Sequence, residues 1–111
     1  MYTHAQLRSD PNVQELRRSA GLWLKELREK RGLSQRQLAK LVGAEYYTFV
    51  SQLETGRGRI PPDRYRQWAE ALEVEPAAFV RTLLRDYDPV TYGILFGEPP
   101  EKVGPEKVGV I

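Results

Sequence analysis

The chain has 111 residues, 41% of them hydrophobic, enough for one domain around a small core that association with a second copy would help to stabilise. It contains no cysteine and a single histidine, His4, which excludes disulfides, thiolate metal sites and a zinc site, so neither metal nor cofactor is expected. The net charge of +2 divides unevenly, with 11 Lys/Arg against 6 Asp/Glu over residues 1–60 and 6 against 9 over residues 61–111, and a basic first half suggests an anionic partner there.

No apolar run approaches the roughly 20 residues of a membrane span, and residues 1–10 are polar, with no signal-peptide core. A cytoplasmic chain without a membrane partner is expected. Residues 1–10 read as an arm. Asp10-Pro11 is a helix start, with Asp as the cap and Pro at the first helical position. Val13, Leu16, Ala20, Trp23 and Leu27 then recur at three- and four-residue spacing, one apolar stripe on a helix. This helix runs unbroken to Arg31 or breaks near Ser19-Ala20-Gly21, and Gly32 suits its C-terminal cap. Ser34, with Gln37 three residues on, forms a capping box and opens a second helix over about 34–42, with Leu38, Leu41 and Val42 inward. After Gly43 a third helix is expected over 45–55, with Phe49, Val50 and Leu53 inward and Gly56 ending it. Residues 57–62 form a loop. A fourth helix, about 62–73, puts Tyr65, Trp68, Ala69 and Leu72 on one face. Pro76 opens a fifth with a wide apolar face of Phe79, Val80, Leu83, Leu84 and Tyr87. Asp88-Pro89 repeats the Asp-Pro start, so 90–96 reads as a short sixth helix ending at Gly97. No segment reads as a strand. The end of the chain repeats a pentapeptide over 100–104 and 105–109, and its Pro and Gly favour a flexible tail.

The most specific signal is the run from Leu33-Ser34-Gln35 through Leu38-Ala39 to Gly43, followed by Gln52-Leu53-Glu54-Thr55-Gly56 and a later Ala71-Leu72-Glu73-Val74. This resembles the phage-repressor/Cro-type, or xenobiotic-response-element (XRE), helix-turn-helix family over residues 22–74. Ala39 and Glu54 are one step further apart than is usual there, and the extra residue falls in the turn around residues 43–46. The resemblance implies an all-α fold, a compact five-helix lambda-repressor-like domain, here with an extended N-terminal helix, a short C-terminal helix and a flexible tail. The division is then an arm over 1–10, the DNA-binding domain over 11–86, a dimerising helix over 87–97 and a tail over 98–111.

Small Ala39 and Gly43 suit a close helix crossing and a tight turn, independently of the resemblance. With Phe49, Val50 and Leu53 inward, the opposite face shows Tyr47, Thr48, Ser51, Gln52 and Thr55. Gln can bond adenine through two hydrogen bonds, and Thr can touch a thymine methyl. An ordinary solvated face would carry Lys and Glu, and this one carries no charge between Tyr46 and Leu53. The resemblance implies that Thr48, Ser51 and Gln52 read bases, with Tyr47 beside them at the helix start. It places Gln35 on a phosphate at the second helix's N-terminus, with Arg57 and Arg59 clamping the backbone from the loop. Arg36, Lys40, Tyr46 and Thr55 complete the phosphate set, although Tyr46 also falls in line with Val50 and Leu53, which favours part burial. Glu54 is expected to make a structural ion pair or hydrogen bond, Glu45 to cap its helix, and Trp23 and Trp68 to sit in the core.

No carboxylate pair, phosphate-cradling glycine motif or nucleophile with a base suggests an enzyme. Two binding classes remain. One is a transcription regulator, a repressor before an activator, binding double-stranded DNA as a homodimer on an inverted repeat. The other is an antitoxin or adaptor whose C-terminal helices bind a protein partner, with DNA binding secondary. For an activator, RNA polymerase or another protein is a candidate partner of the C-terminal half. The dimer interface is expected from Phe79, Leu83, Leu84, Tyr87, Tyr92, Leu95 and Phe96; alternatively the sixth helix folds back over its own core.

Overall fold

The computed structural model describes residues 11–97, and the arm and tail expectations fall outside them. Six α-helices follow in order: α1 (Pro11–Lys30), α2 (Gln35–Leu41), α3 (Thr48–Glu54), α4 (Tyr65–Ala71, entered through a 3₁₀ turn at Pro62–Arg64), α5 (Pro76–Tyr87) and α6 (Pro89–Phe96). No strand occurs among the described residues.

The unbroken version of the first helix is the one that forms. α1 spans 20 residues, about 30 Å. Of its stripe Ala20 is buried, with Trp23 and Leu27 packed at the margin of the core, and Leu24, outside the expected stripe, is buried as well. Gly21 leaves the helix intact because its missing side chain is a packing device. A Cβ there would lie 2.4 Å from the Glu54 carbonyl oxygen and 2.6 Å from that of Leu53. The end of α3 therefore crosses α1 backbone to backbone.

α2 starts as its capping box dictates. The Ser34 hydroxyl accepts from the Gln37 N–H at 3.0 Å, and the Gln37 side chain accepts from the Ser34 N–H at 2.8 Å. Leu38, Ala39 and Val42 are buried, but Leu41 is 49% exposed, which corrects its expected inward position. At 100° per residue Leu41 lies outside the arc that Leu38, Ala39 and Val42 share. Gly43 then turns the chain with φ +70°, and the Ala44 N–H closes on the Ala39 carbonyl at 2.9 Å.

α5 is capped by Glu75, whose side chain accepts from the Ala78 N–H at 2.9 Å, and α6 by Asp88, which accepts from the Thr91 N–H at 3.1 Å and its hydroxyl at 2.6 Å. Trp68, Phe79, Leu24, Leu38, Leu53, Ile60, Leu83 and Val50 fill the centre. The Trp23 and Phe79 rings meet at 5.5 Å, and the Phe49 and Trp68 rings meet edge to face at 6.3 Å.

This corrects the expected dimer surface. Phe79 and Leu83 are fully buried in the chain's own core and Tyr87 nearly so, which leaves them nothing to offer a partner. The apparent excess width of α5 is used up by α1, α4 and α6. Of the set, Leu84 and Tyr92 are half-buried, and Leu95 and Phe96 are exposed.

Candidate nucleic-acid interface

α2 and α3 form a helix-turn-helix, but α3 begins three residues later than expected. Glu45 and Tyr46 belong to the turn, and Tyr47 occupies the cap position without a side-chain cap bond. The Phe49 and Val50 N–H groups bond the Tyr46 and Tyr47 carbonyls at 3.2 and 3.0 Å, so the helix starts from a tight turn rather than from Glu45. Glu45 therefore does not cap it. Tyr46 is 65% exposed, not part-buried, because the helical phase of Val50 and Leu53 does not extend back through non-helical residues. The extra residue of spacing is absorbed here, in the turn.

Three elements are locked together behind the outward face of α3. Arg28 of α1 donates to Glu54 of α3 through Nε at 2.6 Å and through Nη2 at 3.1 Å, and its Nη1 donates to the Leu33 carbonyl at 2.8 Å. Gln35 of α2 donates from Nε2 to the same Glu54 carboxylate at 3.0 Å. The pair is buried, and the hydrogen bond to Glu54 raises the Arg28 pKa further above its usual range, outweighing burial. Glu54 thus has the structural role the sequence suggests. Gln35 stands at the start of α2 as expected, with its amide turned partly inward toward Glu54.

Thr48 and Gln52 are exposed and Ser51 is half-buried on the outward side of α3. Thr55 shares that side, but its hydroxyl donates back to the Ser51 and Gln52 carbonyls at 3.0 and 3.2 Å, so its one proton is spent within the helix. Beside the face, the Arg36 guanidinium lies 4.2 Å from the Tyr47 ring centre, which fixes both side chains at the turn. Lys40, Arg57 and Arg59 are exposed. Among the described residues the ion pairs are Arg28–Glu54, Arg31–Glu73 and Arg85–Asp86, so none of Arg36, Lys40, Arg57 and Arg59 is neutralised by a carboxylate.

The structure adds two cations that the sequence reading missed. Arg18 and Lys25 of α1 line one groove of about 470 Å³ together with Gln35 and Thr55. Their positions on α1, with Leu22 between them, are a legible polar-side spacing. Only the Gly21 crossing, however, shows that this side of α1 borders the starts and ends of α2 and α3. No group of three His, Cys, Asp or Glu suited to a metal occurs among the described residues, and no described helix is long and apolar enough to cross a membrane.

An uncharged polar helix face framed by unpaired cations defines a helix-turn-helix protein of the DNA-binding kind. The family model for the helix-turn-helix matches residues 24–79, and the chain belongs to that family, the XRE or phage-repressor type. It is a DNA-binding regulator by that membership. No curated protein matches it.

Proposed function

We propose that the chain binds double-stranded DNA sequence-specifically, with α3 in the major groove, as a homodimer on an inverted repeat. The observation that carries this reading is the outward face of α3. Thr48, Ser51 and Gln52 form no side-chain hydrogen bond among the described residues, so their donors and acceptors are free for base edges. Tyr47 flanks them, and Gln35, Arg36, Lys40, Arg57 and Arg59, with Arg18 and Lys25, supply the phosphate contacts that set register. Repression needs nothing beyond occupancy of a promoter and is the simpler regulatory outcome. No metal or cofactor enters the scheme.

Selection of bound sequences from a random duplex pool tests this. The expected result is an enriched motif with two-fold symmetry and half-sites about 10 base pairs apart, centre to centre. Recovery of duplexes without a shared motif would remove sequence-specific reading.

Dimerisation is supported by α6. Thr91 and the Tyr92 hydroxyl are its only polar groups, and it packs against α5 along one side. Val90 is 63%, Ile94 78% and Leu95 60% exposed. A helix that is apolar all round is normally buried. The α6 surface of a second copy, brought up across a two-fold axis, would cover it and space two α3 helices along one DNA face. Leu95→Asp is expected to convert a dimer at micromolar concentration into folded monomers that bind the selected duplex weakly, read by sedimentation and circular dichroism. A wild-type monomer would return α6 to the second reading, an adaptor or antitoxin surface for another protein.

A further inference from the structure

Glu45 does not cap α3, and nothing else in the fold employs it. It lies exposed in the turn before α3, and among the described residues its carboxylate makes no hydrogen bond or ion pair. It lines two hollows beside the start of α3. One, of about 470 Å³, it shares with Thr48, Gln52 and Arg64. The other, of about 450 Å³, it shares with Arg36, Lys40 and Tyr47.

Three cations thus line hollows with Glu45, and none pairs with it. Arg64 donates from Nη1 to the Gln67 side-chain oxygen at 3.1 Å, Arg36 lies 4.2 Å from the Tyr47 ring centre, and Lys40 forms no ion pair. The first hollow is held in shape by its neighbours. The Phe49 and Trp68 rings in its lining meet edge to face, and a Cβ on Gly43 would stand 3.6 Å from Gln67 Nε2, so the turn lies close against α4.

An acid on a surface that meets phosphates is repelled by them, and it weakens every complex in which it finds no donor. Glu45 opens onto the same hollow as Thr48 and Gln52, the residues proposed to meet base edges. The major-groove edges narrow the donor. Guanine and thymine present acceptors, and adenine sets its amino group beside the N7 acceptor. Cytosine presents an amino donor with no acceptor of its own beside it. A carboxylate, which only accepts, suits that edge.

We propose that the Glu45 carboxylate accepts a hydrogen bond from the N4 amino group of one cytosine in each half-site. This rests on the DNA-binding reading and adds a specificity determinant from the turn, outside α3. Gln52 and Thr48 are about 6 Å apart along α3, and Glu45 lies before them in the chain, so its base is separate from that of Gln52. Attraction to cytosine and repulsion from the other bases act in the same direction. Glu45 therefore lowers affinity for most DNA while raising selectivity, the opposite of a phosphate contact.

The test measures wild type, Glu45→Ala, Glu45→Gln and Gln52→Ala against every single-base variant of the selected duplex and against an unrelated duplex. Wild type should lose about tenfold or more in affinity when the cytosine is replaced. Glu45→Ala should lose most of that preference and bind the unrelated duplex more tightly than wild type does. Glu45→Gln, whose amide both donates and accepts, should admit adenine at that position. The Tm of both should match wild type, because Glu45 is exposed and unpaired. Gln52→Ala should lose discrimination elsewhere and keep the cytosine, which checks the DNA reading separately. Glu45→Ala that tightens binding to all duplexes by one factor, with its base profile unchanged, would mark a merely repulsive acid and overturn the assignment alone. An unchanged affinity and profile would do the same. A profile altered only where Gln52→Ala also alters it would mark a displaced α3, and it too overturns the assignment. A selected motif without a required cytosine in the half-site overturns it directly, and a wild type with no preferred sequence overturns it together with the DNA reading.

Discussion

Gly21→Ala is expected to destabilise the protein by about 3 kcal/mol or more, although the same change in an exposed helix would stabilise it by up to about 1 kcal/mol. The added Cβ would meet three backbone atoms, the carbonyl oxygens of Leu53 and Glu54 and the Glu54 carbonyl carbon at 2.7 Å. Backbone cannot swing aside as a side-chain tip can. Either α1 separates from α3 or the last turn of α3 unwinds. Both outcomes loosen the helix that carries Thr48, Ser51 and Gln52, so DNA binding should fall with stability. Urea unfolding followed by circular dichroism measures the change. A neutral or stabilising Gly21→Ala would mean that α1 and α3 do not cross at this point.

Arg28→Met should cost about 3–5 kcal/mol, because it leaves the buried Glu54 carboxylate with Gln35 as its remaining side-chain partner. Glu54→Leu should cost a similar amount by stranding the Arg28 guanidinium. The double variant should recover much of the loss, since the desolvation of both charges disappears together. The pair then contributes mainly by fixing where α3 ends against α1 and α2, and the double variant is expected to fold while binding DNA less well. Additive single-site costs in a double-mutant cycle would contradict the coupling seen in the geometry.

The elements were legible wherever a local device sets them. The Ser34–Gln37 capping box, the Pro starts of α1 and α5, and the positive-φ glycines at 32, 43 and 56 all appear where sequence spacing puts them. The start of α3 was not legible, because Glu45, Tyr46 and Tyr47 have no strong local preference and the turn takes up the extra residue. Leu41 was misread because a hydrophobic residue beside a stripe looks like part of it. Phe79, Leu83 and Tyr87 were read as surplus because the width of a helix's apolar face does not say how many neighbours cover it. The polar outward side of α3 was visible as a stretch without charge. Arg18 and Lys25 were not, since their place beside Gln35 and Thr55 depends on the long-range crossing at Gly21.

The proposed reading of bases by the outward face of α3 turns on Gln52, and a binding profile tests it. Wild type and Gln52→Ala would be measured against every single-base variant of the selected duplex. Gln52 is exposed and uninvolved in any described side-chain hydrogen bond, so its removal leaves the core intact. Gln52→Ala is expected to lose about 1–3 kcal/mol of discrimination at one or two symmetric base positions while keeping its salt dependence and its Tm. A profile identical to wild type at every position would contradict it.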